Sequence, residues 1–501
     1  MRDRSSQVFE DEMAILVTPS DTLEEILKKA SQVRPSKRQL LWQETEFNIF
    51  VHFGLNTFTN SELGSGKEDP SIFNPVEFDA QQWAKVVKEA GAKMLVLTAK
   101  HHDGFCLWPS DYTEFSVKNS PWKNGKGDIV EEVADACKRE GLKFGIYLSP
   151  WDRHEVTYGT EKYNEYFKNQ LRELLTRYGK IAEVWLDGFC GEGPNGKKQI
   201  YDWEGYWQLI RELQPEAVIS VCGPDVRWCG NEEGRGRESE WSVVFLEEIE
   251  EGNVTKAYER FFYGPNAWCL WEDIGSKKAL SRFVGKKGRL VWYPSEVDVS
   301  IRPGWFYHPE EDEKVKSVES LLEIYFESVG KNSVLLLNVP PTKKGLIHEN
   351  DAKRLKEFGD ILKRTFSENL AKGAKVIASS YKGNNMEYHP SKTLDNDKWT
   401  YWTVDEGVTS GWIEYELGTE KSFNVVMVQE QICIGQRIEK FAVDIWNTKK
   451  GQWECVTSGT SIGYKRLLHF SKVKTNKVRL HIFESRGTPA ISQFGLFEMP
   501  L

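Results

Sequence analysis

The run GKIAEVWLDGFCG, residues 179–191, decides how the first half of the chain is read. It is an apolar, strand-like segment that ends in a tryptophan and a carboxylate immediately before a glycine. Burying an aspartate inside a strand without partners is costly. At the strand's C-terminal tip the same aspartate can face an open pocket. Alternate residues of a strand share a face, so Trp185 and Asp187 point one way while Val184 and Leu186 point the other.

Working outward, a strand, loop, helix rhythm runs from about residue 40 to 225. FNIFVHFG is followed by the helical FDAQQWAKVVKEAG, in which Trp83, Val86, Val87 and Ala90 recur at helical spacing. AKMLVLTAKHHDGF precedes DIVEEVADACKREG, with Asp128 as cap and Gly141 as stop. LKFGIYLSP, EYFKNQLRELLTRYG, KIAEVWLDG, DWEGYWQLIRELQPE and AVISVCG continue the alternation. Strands that are apolar on both faces and separated by helices predict a parallel sheet covered by helices. GRLVWYPSEVDV and NSVLLLNVPP read as later strands around the helical VKSVESLLEIYFESVG. The expected α/β fold is a (β/α)8-like barrel with irregular later helices. An open doubly wound sheet competes, but no Gly-x-Gly-x-x-Gly turn follows the first strand.

After residue 370 the texture changes to short alternating runs such as GWIEYELG, NVVMVQEQI, KFAVDIW and KVRLHIFES. These predict an antiparallel β-sandwich. The expected division is a barrel with an N-terminal extension over residues 1–370 and a sandwich over 371–501.

The 501 residues carry 66 Lys and Arg against 75 Asp and Glu, a net charge of −9 that offers no footprint for nucleic acid. No run approaches a membrane span, and the start MRDRSSQVFEDEMAILV is no signal peptide. That start predicts a cytoplasmic protein, or a periplasmic or secreted one if a leader was removed ahead of it. The 8 cysteines include no Cys-x-x-Cys pair, and no obligate protein partner is implied. The 19 Trp, 18 Tyr and 26 Phe are enough for a large core and for aromatic walls at strand ends.

Chemistry-bearing residues gather at those ends. His52 follows the first strand, His101 and His102 the second, and Tyr147 and Trp151 lie around the third. Arg227, Trp228, Glu232 and Glu233 come after the fifth. At a barrel's C-terminal mouth this set converges where catalytic groups sit in that fold. Adjacent His101 and His102 project oppositely, which is poor geometry for one metal ion, and no metal is expected. Ser149 in YLSPW lacks the Gly-x-Ser-x-Gly elbow of a serine nucleophile. Paired carboxylates suit glycosidic hydrolysis, in which one attacks or activates water and the other donates a proton. Asp187 and Glu232 can serve, with Glu233 and Glu240 competing for the second role. A cap, or an ion pair with Arg153 or Arg227, is the structural alternative for Asp187.

FNIFVHFGLNTF, LTAKHHDGFCLWPS, GIYLSPWDRH, VWLDG and LLLNVPP, in that order, resemble glycoside hydrolase family 29, the α-L-fucosidases, across residues 35 to 365. The resemblance implies a retaining exo-glycosidase that needs no cofactor, releasing terminal fucose through a covalent intermediate, with Asp187 as nucleophile. The loop GPDVRWCGNEEGRGRESEW is similar to that of the branch acting on α-1,3 and α-1,4 fucose of Lewis-type glycans, which carries the acid/base role to Glu232. Sugar contacts then fall on His52, His101, His102, Tyr147, Trp185 and Trp305, with Arg237 and Glu240 lining the leaving-group side. Fucosylated oligosaccharides are the implied partners. A non-catalytic glycan-binding barrel and a metal- or triad-dependent hydrolase are the alternatives. LDNDKWTYW and ISQFGLFEM resemble a discoidin-like, carbohydrate-binding-type sandwich, in which Asp395 and Asp397 hold either a turn or a structural calcium ion.

Overall fold

The computed structural model describes residues 14–250 and 253–500. The leader question above therefore falls largely outside the described residues. Eight parallel strands form the barrel: β1 (Phe47–Val51), β2 (Met94–Lys100), β3 (Lys143–Leu148), β4 (Glu183–Leu186), β5 (Val218–Val221), β6 (Arg227–Trp228), β7 (Ser295–Ser300) and β8 (Ser333–Asn338). Their order is 5-4-3-2-1-8-7-6, and a parallel bridge between Ser220 and Val226 brings the two ends together.

Local chemistry sets the crossovers. The helix Ala80–Glu89 starts where the Asp79 carboxylate accepts the amides of Gln81 and Gln82, and it buries Trp83, Ala84 and Val87 against the sheet. The helix Ile129–Glu140 is capped by Asp128 and stopped by Gly141, whose φ of 72° suits glycine. Later connections are less regular, as the sequence predicts. Two readings need correction. GRLVWYPSEVDV is two strands, because the chain breaks at Tyr293 and Pro294: Gly288–Trp292 pairs antiparallel with Ile15–Val17 and Val243–Glu247 outside the barrel, and only Ser295–Ser300 is a barrel strand. Arg227 and Trp228, read as mouth residues, form β6 instead, and the Arg227 side chain is fully buried against Glu240.

The C-terminal strands are antiparallel. Two of them, Gly411–Glu430 and Arg466–Ser485, run 20 residues each. Register shifts at Glu416/Lys421 and Phe423/Val425 let this long pair bend between layers, as a sandwich requires. Its core includes Trp402, Tyr415, Phe423, Val478 and Phe494, with Tyr415 stacked on Phe494 at 4.1 Å. Asp395 and Asp397 accept the amides of Asp397 and Trp399 and so shape a turn. No helix among the described residues is long and apolar enough to cross a membrane.

At the end of β2, Lys100 is fully buried and donates to Asp152 and to Gln170, each at 2.9 Å. Asp152 also accepts the amides of His154 and Glu155, so this pair anchors the loop after β3 beneath the barrel mouth. Removing one partner of a buried pair strands the other's charge. Asp152→Ala is expected to cost about 3–5 kcal/mol in denaturant unfolding, with much of the loss recovered when Lys100→Met is added.

Candidate active site

Register puts Trp185 of β4 level with Tyr147 of β3 and Ser220 of β5. The pleat then lifts Asp187 one step above Trp185, onto the rim. Asp187 is neither a helix cap nor an arginine partner. The Tyr147 hydroxyl donates to its Oδ2 at 2.9 Å and the Phe189 amide to its Oδ1 at 2.7 Å. Its side chain is 19% exposed, and desolvation by the surrounding walls raises its pKa to about 6. Arg227 is spent on Glu240, while Arg153 donates to the Gly64 carbonyl.

The three histidines are buried, and burial holds each imidazole neutral; His52 and His102 are lowered to about 3 and His101 well below its usual value. Their neighbours select the tautomers. Asn338 spends its amide on Ser300 and the Trp305 carbonyl, so its Oδ1 receives the proton of His52 Nδ1 at 2.8 Å. Asn56 Nδ2 points at His101 Nδ1 at 3.4 Å, which makes that nitrogen an acceptor and Nε2 the donor. Ser149 gives its proton to the Trp151 carbonyl and so receives one from His102 Nδ1 at 2.7 Å. His102 Nε2 is then an acceptor 3.6 Å from Asp187 Oδ2. Two acceptors facing one position suit a hydroxyl donor placed between them.

Aromatic faces complete the well. Trp185 stacks on Tyr147 with centroids 5.3 Å apart and donates to Glu296 Oε2 at 2.7 Å. Trp305 lies 5.2 Å from the His52 ring and donates to Glu232 Oε2 at 3.3 Å. Burial and the charges of Asp187 and Glu62 raise the Glu232 carboxyl, although the Trp305 bond opposes them. Glu233 makes no such contact in this geometry; its amide is tied to Asn231. The structure does not bring Glu240 to the surface of the mouth: it is fully buried, accepting from Arg227 and from the Arg237 amide. The Arg237 guanidinium is turned to the carbonyls of Cys269 and Trp271, because a buried cation needs acceptors. Both are struts of the loop, where the sequence predicts a lining.

Several groups escaped the sequence reading. Phe189, 60% exposed, stands over His102 and Trp151. Glu62 accepts the amides of Trp305 and Phe306 and pairs with His308, fixing the Trp305 segment. Asp298 takes the Trp228 indole proton at 2.7 Å and, through burial and then the Glu232 charge, is raised to about 8, so it keeps its proton at neutral pH. The signal for Asp298 was legible: SEVDVS alternates polar and apolar residues, which puts Glu296, Asp298 and Ser300 on one face. Among the described residues, no three His, Cys, Asp or Glu side chains gather as a metal site.

A parallel barrel whose mouth presents carboxyl groups on neighbouring elements, ringed by neutral histidines and aromatic faces, defines a sugar-hydrolysing enzyme. The α-L-fucosidase family model matches residues 67–366, and the F5/8 type C domain model matches residues 375–494. The chain therefore belongs to the α-L-fucosidases of glycoside hydrolase family 29, with a discoidin-like C-terminal domain. Alpha-L-fucosidase 1 of Arabidopsis thaliana is 44% identical over 470 residues, covering 92% of this chain and 87% of that protein. The crystal structure of a Ruminococcus gnavus family 29 fucosidase in complex with fucose is 34% identical, with a TM-score of 0.81, covering 97% of this chain and 99% of that one. A family 29 member from an unknown rumen bacterium is 38% identical, with a TM-score of 0.75, covering 93% and 78%.

The raised Asp187 has a stability consequence with a definite sign. Its folded pKa of about 6 lies above the ordinary aspartate value of 3.8, so ionising it costs the folded state stability at pH above about 6 and nothing below about 4. Asp187→Asn is expected to raise unfolding stability at pH 8 by up to about 2 kcal/mol, and the gain should fade as pH is lowered through 6. Chemical denaturation across that range reads it directly.

Proposed function

We propose that the enzyme is a retaining exo-α-L-fucosidase in which Asp187 is the nucleophile and Glu232 the acid/base. The observation that carries this reading is the contrast between the two carboxyls. Asp187 is held by two donors at a strand tip beside the neutral histidines, while Glu232 sits on an exposed loop, where it accepts the Trp305 indole proton. An Asp187 oxygen attacks the anomeric carbon as the bond from that carbon to the leaving oxygen breaks, and Glu232 gives that oxygen its proton. In the second step, water attacks the same carbon and passes a proton to Glu232, and the ester bond to Asp187 breaks. Tyr147 steadies the departing carboxylate.

His52, His101 and His102 meet ring hydroxyls as one donor and two acceptors, while Trp185, Trp305 and Phe189 supply apolar faces for the sugar ring and its methyl group. The domain division proposed with this reading is near residue 370, between the helix Glu349–Thr365 and the first sandwich strand Lys375–Ala378. All the chemistry then lies on the barrel side.

Asp187→Ala is expected to abolish turnover in a folded protein. Glu232→Ala should lose activity steeply on glycans, whose sugar leaving groups need a proton, and much less on fucosides with acidic phenol leaving groups. Azide should restore breakdown of its fucosyl-enzyme. If Glu233→Ala shows that pattern and Glu232→Ala does not, the role moves by one residue.

For linkage, the proposed substrates are α-1,3- and α-1,4-fucosylated N-acetylglucosamine in branched glycans, a reading supported by the resemblance of the Glu232 loop and by the rim aromatics, the exposed Phe189 and the half-buried Trp305. Contacts to the neighbouring galactose would orient the scissile bond. A panel of Lewis trisaccharides, α-1,2-fucosylated glycans and simple fucosides tests this. Higher kcat/KM on the trisaccharides is expected, and preference for either other group overturns it.

A further inference from the structure

The loop that carries Glu232, residues 229–242, leaves β6 and ends at the strand Val243–Glu247. Its exposed turn is flanked by Gly230 and Gly234, with φ of 98° and 78°. These two residues adopt conformations open chiefly to glycine, and both pack closely, Gly230 against the Cys269 carbonyl and Gly234 against Ile324 and Val299, so the course of the turn is set by what restrains it from outside. The barrel supplies part of that restraint: the Cys229 amide donates to the Glu296 carbonyl at 2.9 Å and the Gly236 amide to the Glu327 carbonyl at 2.8 Å.

Barrel residues also reach the end of the loop, with Asn332 donating to the Glu240 carbonyl at 3.0 Å, Arg227 to the Trp241 carbonyl at 2.9 Å and Lys331 pairing with Glu238 at 2.8 Å, and the other domain adds a second set of contacts. Arg466 donates to the Glu238 carbonyl at 2.9 Å and pairs with the Glu238 carboxylate at 2.5 Å. Ser239 and Thr460 share a hydrogen bond of 2.6 Å. Gln436, with no solvent exposure, donates to the Glu240 carbonyl at 3.1 Å and accepts the Ser242 amide at 2.8 Å. Ser461 is the second donor from this domain to the Glu240 carbonyl, at 3.3 Å, and Arg486 lies 3.5 Å over the Trp241 ring. Five consecutive residues, 238 to 242, are thus held by the β-domain, and Gln436 reads the backbone on both sides of Trp241.

That grip reaches the turn through Glu240. With its backbone fixed, its carboxylate accepts from Arg227 of β6 and from the Arg237 amide, and Arg237 in turn spans to the carbonyls of Cys269 and Trp271. We propose that the C-terminal β-domain is part of the catalytic apparatus: through Gln436 and its neighbours it clamps the loop that presents Glu232, so that Gln436 is a positioning residue for proton transfer in the other domain. The inference rests on the reading of Glu232 as acid/base. It gives the β-domain a function that requires no sugar site of its own and contributes no catalytic carboxylate.

A proton donor works only within hydrogen-bond reach of the leaving oxygen, and a misplacement of about 1 Å can cost about 100-fold. Loosening the clamp should therefore hurt in proportion to the need for a proton. Gln436→Ala in the full chain is expected to lower kcat/KM by about tenfold or more on a fucosylated disaccharide, and far less on a dinitrophenyl fucoside. Azide should speed turnover of the aryl substrate. A purely structural role would lower both substrates together and leave azide without effect. Should Gln436→Ala fail to fold, the double variant Thr460→Val, Ser461→Ala removes two of the hydroxyl contacts at nearly constant volume and carries the same expectation. Glu232→Gln is measured alongside. If it shows the leaving-group and azide signature while folded clamp variants do not, the clamp is overturned and the acid/base assignment stands. If Glu232→Gln lacks that signature, the acid/base assignment falls and the clamp falls with it.

Discussion

The structure turns on keeping carboxyl groups inside a well that offers them little water. A parallel barrel points every second side chain of each strand inward, and here those positions include Glu183, Trp185, Glu296 and Asp298 as well as aliphatic residues. Desolvation disfavours each ionised form, and the chain answers with specific donors. Trp42 and Ser220 serve Glu183, Trp185 serves Glu296, and Trp228 serves Asp298. Burial raises the carboxyls of Glu183 and Glu296, and their mutual repulsion raises Glu296 further. Asp187, at the rim, joins partial exposure to a hydroxyl and an amide donor, which support its negative charge where the deeply buried Glu296 has only an indole donor.

This arrangement also makes the sugar-facing surface rigid. Each imidazole has one nitrogen committed to a fixed partner: Asn338 for His52, Asn56 for His101 and Ser149 for His102. Neutral rings with assigned tautomers offer a pattern of donors and acceptors that does not change across the physiological pH range. The indole nitrogen of Trp185 is likewise spent on Glu296, so that only its face is presented. Positional order comes from partners beneath the surface, as preorganised sites require.

The two carboxylates proposed for catalysis are supported by different means. Asp187 is fixed by strand pairing, among the stiffest local devices a protein has. Glu232 sits on a glycine-flanked turn whose register depends on hydrogen bonds from a domain more than 190 residues further along the chain, as the contact of Gln436 with Ser242 illustrates. A nucleophile must aim at one carbon, whereas an acid/base acts on an oxygen and then on a water, and a loop held from outside is compatible with both.

Much of the fold was legible in the sequence. Strands apolar on both faces, the Asp79 and Asp128 caps and the Gly141 stop are local, and local chemistry places them. The period-2 rule alone set Trp185 and Asp187 on one face, and the ordered motifs gave the family. β6 was not legible, because two residues carry no periodicity, and its loss put Arg227 at the mouth when it is buried. Arg237 and Glu240 were misplaced for a related reason: a charged residue in a glycine-rich loop reads as solvent-facing, and only the folded chain supplies the opposite charge and carbonyls that let it go inside. Glu62, Asn338 and Gln436 act through partners 243, 286 and 194 residues away. The sequence by itself determined which elements form and which strand tips bear chemistry, since those depend on neighbours within a few residues. The tertiary structure alone decided which nitrogen of each histidine holds its proton, which acids stay neutral and what restrains the Glu232 loop, because these are set by desolvation and by partners that only folding brings within hydrogen-bond reach.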